Sequence, residues 1–159
     1  MAKGRIAIGA DHGGFYLKEE IKKKLTKAGY KVEDLGTRSE RPCDYPEYGY
    51  AVAKKVSGKK AARGIVICKS GIGMAIVANK VPGVRAGACY SRADAVSSRE
   101  HNDTNVLVLA ASRVSDRKNL DILSAWLRTK SLGGRHARRV RQIKAIEKKE
   151  FKKDKKGRR

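Results

Sequence analysis

The feature that most restricts the fold is the alternation of two hydrophobic periods along the chain. Five short runs rich in β-branched and other apolar residues, "RIAIGA", "KVEDLG", "RGIVIC", "VRAGACY" and "NVLVLAA", are separated by segments of helical pattern. In "FYLKEEIKKKLTKAGY", Leu17, Ile21, Leu25 and Ala28 recur at helical spacing, and Gly29 is placed to stop the helix. This alternation predicts an α/β chain with a parallel sheet of about five strands covered by helices on both faces. The last helices are expected to start near Asp116 and Gly134. Neither an internal repeat nor an interdomain linker is visible.

Size and composition narrow the class. At 159 residues and 40% hydrophobic content the chain can bury one ordinary core, so residues 1–150 are expected to form a single domain. The longest apolar runs fall far short of the roughly 20 residues that span a bilayer, and the N-terminus lacks a signal-peptide pattern. The expectation is a soluble, cytoplasmic protein that makes no membrane contact. Cys43, Cys68 and Cys89 are an odd number without paired spacing, which favours reduced thiols and implies no structural metal; no cofactor is expected. The formal net charge of +22 raises nucleic acid as a partner, because clustered Lys and Arg gain affinity for polyphosphate by counterion release. Much of that charge is gathered in "RVRQIKAIEKKEFKKDKKGRR", Arg139 to Arg159. Beyond Phe151 nothing apolar is left to bury, so residues 151–159 are expected as a basic, disordered tail.

In a sheet of this kind, ligands bind where strands end at their carboxyl edge and loops lead into helices. "GADHGG" puts Asp11 and His12 after the first strand, and "CKSGIG" puts Cys68 and Ser70 after the third. His101 and Asn102 precede a strand instead. They need a helix that carries them to the same edge, or a place in a neighbouring subunit's site.

The turn Ser70-Gly71-Ile72-Gly73 could aim backbone amides at an anion, or be a tight strand-to-helix turn with no ligand; the glycines alone weigh the two equally. An isolated cysteine at a strand end is more often a small buried hydrophobe. Beside oriented amides and nearby cations, however, Cys68 becomes a candidate thiolate base. Cys43 and Cys89 have no such setting. A single histidine is more often structural, but two at candidate loop ends, His12 and His101, with a third in "GGRHARR", favour acid–base chemistry. Arg135 and Arg139 are four apart and can grip a phosphate from one helix face. Arg138 and Arg141 read as solvated.

Taken together, "IAIGADHGGFYLK", "DYPEYG", "ICKSGIGMAIVANKVPGVRAG", "HNDTNVLVLAASRV" and "LGGRHARRV" resemble the type B ribose-5-phosphate isomerase family, which includes galactose-6-phosphate isomerase subunits. The resemblance covers nearly the whole chain except the tail. It implies a Rossmann-like three-layer α/β/α sandwich, a homodimer with sites shared between subunits (a tetramer is not excluded), and metal-free aldose–ketose isomerisation of a sugar phosphate. Residue by residue it implies Cys68 as the base, Ser70 with the amides of Gly71, Ile72 and Gly73 as an anion hole, and Asp11 and His101 at the sugar hydroxyls and in ring opening. His101 would be the proton donor. Asn102 would also contact substrate, His12, Arg135, Arg139 and Arg113 would bind phosphate, and Tyr45 would line the pocket.

One branch of the family places a glutamate four residues beyond the serine of the anion hole. Here that residue is Met74, which cannot accept a proton, so the sequence sides with the cysteine branch. Three departures are visible: Lys69 for a glycine, Ser70 for a threonine, and one extra residue between His101 and Arg113, with Ala110-Ala111 where a glycine is usual. An added residue reverses side-chain direction in a strand unless a bulge or loop takes it up.

The expected reaction is the interconversion of D-ribose 5-phosphate and D-ribulose 5-phosphate through a cis-enediolate, with allose or galactose 6-phosphate as alternative substrates. A nucleic-acid-binding protein on the same scaffold is a weaker reading. The aromatic content of 6% gives few stacking platforms, so any such contact is expected to be nonspecific, through the basic tail.

Overall fold

The computed structural model describes residues 3–156. Its strands are β1 (Lys3–Ala10), β2 (Tyr30–Asp34), β3 (Arg63–Cys68), β4 (Ala86–Ala88) and β5 (Val106–Ala110). Its helices are α1 (Phe15–Lys27), α2 (Tyr45–Ser57), α3 (Ile72–Ala78), α4 (Arg92–Asn102), α5 (Asp116–Arg128) and α6 (Gly134–Lys156), and a 3₁₀ turn at His12–Gly14 precedes α1. The sheet order is β2-β1-β3-β5-β4, and every ladder is parallel. All five predicted strands form, and α5 and α6 begin at the predicted residues.

Strand periodicity divides the core into two layers. Ile6, Ile8, Ile65, Ile67, Leu107 and Leu109 face α1, α4 and α5, where Leu17, Ile21, Ala95, Ile122 and Trp126 meet them. Their neighbours Ala7, Val66, Cys68, Val106 and Val108 face α2 and α3, against Val52, Ala53, Met74 and Ala78. The result is the three-layer α/β/α sandwich expected above, with the central strands buried on both sides. No helix among the described residues is long and apolar enough to cross a membrane.

The sheet switches its winding between β1 and β3. The connection after β1 leads into α1 on one face, and the connection after β3 leads into α3 on the other. In such sheets ligands bind outside the carboxyl ends of a pair that diverges in this way. The β2 side of this edge is fixed by charge. Lys18, fully buried, donates to Asp34 and to Glu19 at 2.7 Å each. Lys22 donates to the same Asp34 oxygen at 2.6 Å. The other oxygen of Asp34 accepts from Gly36 N at 2.9 Å. The segment so held pairs with the end of β1, with Ala10 N donating to Gly36 O at 2.8 Å and Thr37 N to Ala10 O at 2.7 Å.

The expected tail differs. The α6 helix continues through Lys156, while residues 157–159 lie outside the described ones. Anchoring explains it: Glu147 accepts from Gly83 N at 2.9 Å, and Ile143, Ile146 and Phe151 line a cavity of about 660 Å³ against Val84 and β4.

Burial opposes ionisation of Asp34, but the hydrogen bonds from Lys18, Lys22 and Gly36 outweigh it and hold the carboxyl below its ordinary value. A group lowered in this way stabilises the fold above the ordinary carboxylate pKa, and that contribution is lost as pH falls through the lowered folded value. Asp34→Asn should therefore cost about 3 kcal/mol at neutral pH, the usual scale for removing one partner of a buried pair. It should also flatten the acid dependence of stability. Urea unfolding at neutral and acidic pH checks both, and two parallel pH curves for parent and variant would contradict the assignment.

Candidate active site at the carboxyl edge

Asp11, the first residue past β1, is buried. Its amide donates to Ile67 O at 3.2 Å, and its side chain caps the 3₁₀ turn by accepting from Gly14 N at 3.1 Å. One carboxylate oxygen is thus used internally. His12 follows, and Cys43 N donates to its Nδ1 at 3.1 Å. The same Nδ1 lies 3.3 Å from Cys43 O, so the Cys43 backbone orients the ring.

Cys68 closes β3 opposite Ala110 and is 5% exposed. Gly71 adopts φ +77°, a left-handed conformation that favours glycine. This turn brings Gly71 N onto Cys68 Sγ at 3.1 Å. A hydrogen-bond donor on the sulfur is what a group carrying negative charge during a reaction needs. Ser70 Oγ accepts from Ile72 N at 3.2 Å, so the turn's own side chains engage two of the amides expected to form an anion hole. Tyr45, at the start of α2, lays its ring over Gly73. A Cβ there would sit 2.5 Å from Tyr45 Cζ.

The structure separates the remaining candidates. The α4 helix leads from the carboxyl end of β4 back to the start of β5, so His101 and Asn102 lie at the opposite edge of the sheet from Cys68, both exposed. Asn102 O accepts from Arg85 Nε at 3.1 Å beside the start of β4. Arg135 and Arg139, in the first turns of α6, are exposed near His101, whose ring stacks on that of His136. Of the two explanations for His101, a helix bringing it to the edge occupied by Cys68 is excluded within one chain. Arg113 lies with Cys68, because Ala111 N donates to Cys68 O at 2.9 Å and Ser112 N to Lys69 O at 3.0 Å. Among the described residues, no group of three or more His, Cys, Asp or Glu side chains is placed to hold a metal ion.

A model of the Ribose/Galactose Isomerase family matches residues 6–143. The chain belongs to that family. It is similar to ribose-5-phosphate isomerase B of Escherichia coli, with 46% identity over 143 residues that cover 90% of this chain and 96% of that protein. A ribose-5-phosphate isomerase B structure from Clostridium thermocellum aligns with a TM-score of 0.89 at 50% identity, covering 91% of this chain and 98% of the other. The Mycoplasma genitalium enzyme, solved with bound ribulose-5-phosphate, aligns with a TM-score of 0.89 at 37% identity, covering 93% and 99%.

Within this isomerase family the three departures can now be located. The β3–β5 ladder runs from Gly64↔Val106 to Cys68↔Ala110 without a shift, so the paired part of β5 carries no bulge. Asn119 spans the turn after β5, donating to Ala110 O at 3.4 Å and to Val114 O at 3.0 Å. The Lys69 stem lies across Gly13, where an added Cβ would meet Lys69 Cγ at 2.5 Å. Met74 is buried in the α2–α3 layer. Two contributors carry no sequence signal of their own: the Cys43 backbone behind His12 and the hydroxyl of Tyr90 that donates to Ser70 O at 2.9 Å.

Gly73→Ala should displace the Tyr45 ring and lower isomerase kcat/KM by about 10- to 100-fold, the scale of an ångström-size misplacement, with little loss of melting temperature. Unchanged efficiency would contradict a role for this contact.

Proposed function

We propose that the chain interconverts D-ribose 5-phosphate and D-ribulose 5-phosphate. The observation that carries this reading is Cys68 at the carboxyl end of β3, with the Gly71 amide on its sulfur and Asp11 at the end of the adjacent strand. An aldose–ketose isomerase needs one base beside a group of donors that holds an oxyanion. In the open-chain aldose, the Cys68 thiolate takes the C2 proton. Electron density from the C2–H bond moves into a C1–C2 double bond, and the charge settles on O1. Ser70 and the amides of Gly71, Ile72 and Gly73 hold that oxygen, the Ser70 hydroxyl turning from Ile72 N to the substrate. The proton then returns to C1 as the O2 hydroxyl loses its own and O1 gains one, which completes the ketose.

Ring opening precedes this step. His101 protonates the ring oxygen as the C1–O4 bond breaks, and the free oxygen of Asp11 takes the anomeric hydroxyl proton; both groups re-equilibrate with solvent. Since His101 is at the far edge of its own sheet, a second copy must supply it, together with Asn102, Arg135 and Arg139. This reading makes the protein a homodimer with two composite sites, phosphate held by His12 and Arg113 from one copy and by Arg135 and Arg139 from the other. Tyr45 closes the wall over Gly73.

The test is turnover of ribose 5-phosphate beside allose 6-phosphate and galactose 6-phosphate. The pentose phosphate should be preferred, and Cys68→Ala should lower kcat by at least about 10³-fold while the variant keeps its fold and still binds the sugar phosphate. A Cys68→Ala protein as active as the parent would remove the thiol from the mechanism. A preference for a hexose phosphate would reassign the substrate without moving the base.

A further inference from the structure

The imidazoles of His101 and His136 lie face to face, with 4.3 Å between centroids and 8° between planes. His101 sits on the exposed last turn of α4, and His136 sits on the first turn of α6 with Nδ1 buried and without a hydrogen-bond partner. The approach of the two helices is fixed from both sides. Leu132 N donates to Glu100 O at 3.0 Å, Gly134 turns the chain into α6 with φ +59°, and Val140 is buried one turn further on. The stack is therefore set by the backbone rather than by two freely moving side chains.

Two imidazoliums at this separation would repel. The charged groups around the pair are Glu100, next to His101 on α4, and Arg135 and Arg139 on α6, with Arg141 and Lys144 lining the cavity beside His101. Asp103 is occupied by Arg85 and Arg99. Loss of solvation, then His101, Arg135 and Arg139, push His136 below its ordinary value, with Glu100 acting against them. Of the two rings, His101 is the more exposed.

We propose that His136 is a positioning residue for ring opening: its ring lies flat beneath the His101 imidazole and fixes the plane in which that imidazole meets the sugar ring oxygen. This rests on the reading of His101 as the proton donor. The flat contact does not require His136 to titrate, so another planar ring can do the same work.

The chemistry provides a way to separate this role from a structural one. Ribulose 5-phosphate is already open-chain, because its O5 is esterified and cannot close on C2. Exchange of its C1 hydrogen with deuterated water therefore reports the Cys68 step alone, whereas turnover of ribose 5-phosphate needs ring opening as well. His136→Ala should slow ribose 5-phosphate turnover by about tenfold, a fraction of a general acid's usual contribution, and leave the exchange rate within about twofold. His136→Phe, which keeps a flat ring in the stack, should recover most of the lost turnover. Equal loss of both rates, no loss of either, or failure of phenylalanine to rescue would overturn the proposal. His101→Asn measured in parallel separates the underlying reading: if that variant turns over ribose 5-phosphate as the parent does, His101 is not the donor, whatever His136 does.

Discussion

The pairing of β1 with β3 is the constraint on which the carboxyl edge depends. Ile8↔Ile65 and Ala10↔Ile67 are in register, and the bond from Asp11 N to Ile67 O extends that register one residue past the strand. It delivers Asp11 and Cys68 to neighbouring positions while their connections diverge to opposite faces. The buried Lys18–Asp34 pair, by holding Gly36 against Ala10, stiffens the same strand end from its other side. A charged pair in that place is a costly way to gain stability; its effect here is to fix the backbone from which Asp11 and His12 project.

The same topology explains why the proposed site residues divide between two edges of one chain. In a parallel sheet each connecting helix runs back toward the amino edge, so a residue on the last turn of such a helix is carried away from the strand carboxyl ends. His101 and Asn102 are on that last turn of α4, and the loop into α6 brings Arg135, His136 and Arg139 beside them. The thiol with its oxyanion donors occupies one edge, and the imidazole with the arginine pair occupies the other. Both sets are rigid: the first through Gly71, Tyr45 and Tyr90, the second through the α4–α6 contact. A symmetric pair of chains can bring the two edges together twice, and a single chain cannot do so once.

The layered fold was legible because its signal is local. "RGIVIC" and "NVLVLAA" read as strands covered on both faces, Gly29 ends α1 where the pattern stops, and Ser115 caps the helix predicted from Asp116 by accepting from Lys118 N. The strand-end positions of the candidates Asp11, Cys68 and Ser70 were legible for the same reason. What escaped were contacts between residues far apart in sequence. Cys43 N reaches His12 across 31 positions, and Tyr90 reaches Ser70 across 20. Neither residue type signals its partner. The end of α6 escaped because composition past Phe151 looks like solvated tail, whereas Glu147 and Phe151 find tertiary partners on Gly83 and the cavity wall. The added residue before Arg113 was visible, but only the unshifted β3–β5 ladder shows that the paired strand does not absorb it.

The central claim, that Cys68 from one copy works with His101 from another, is tested most directly by mixing two inactive variants. Cys68→Ala and His101→Asn each disable a different half of the composite site. Unfolding and refolding them together in equal amounts should give half mixed dimers, each with one intact site, and so restore about one quarter of parental activity. If the mixture stays as inactive as its components while mixed dimers are present, the two residues act within one chain or in different processes, and the shared-site account is wrong.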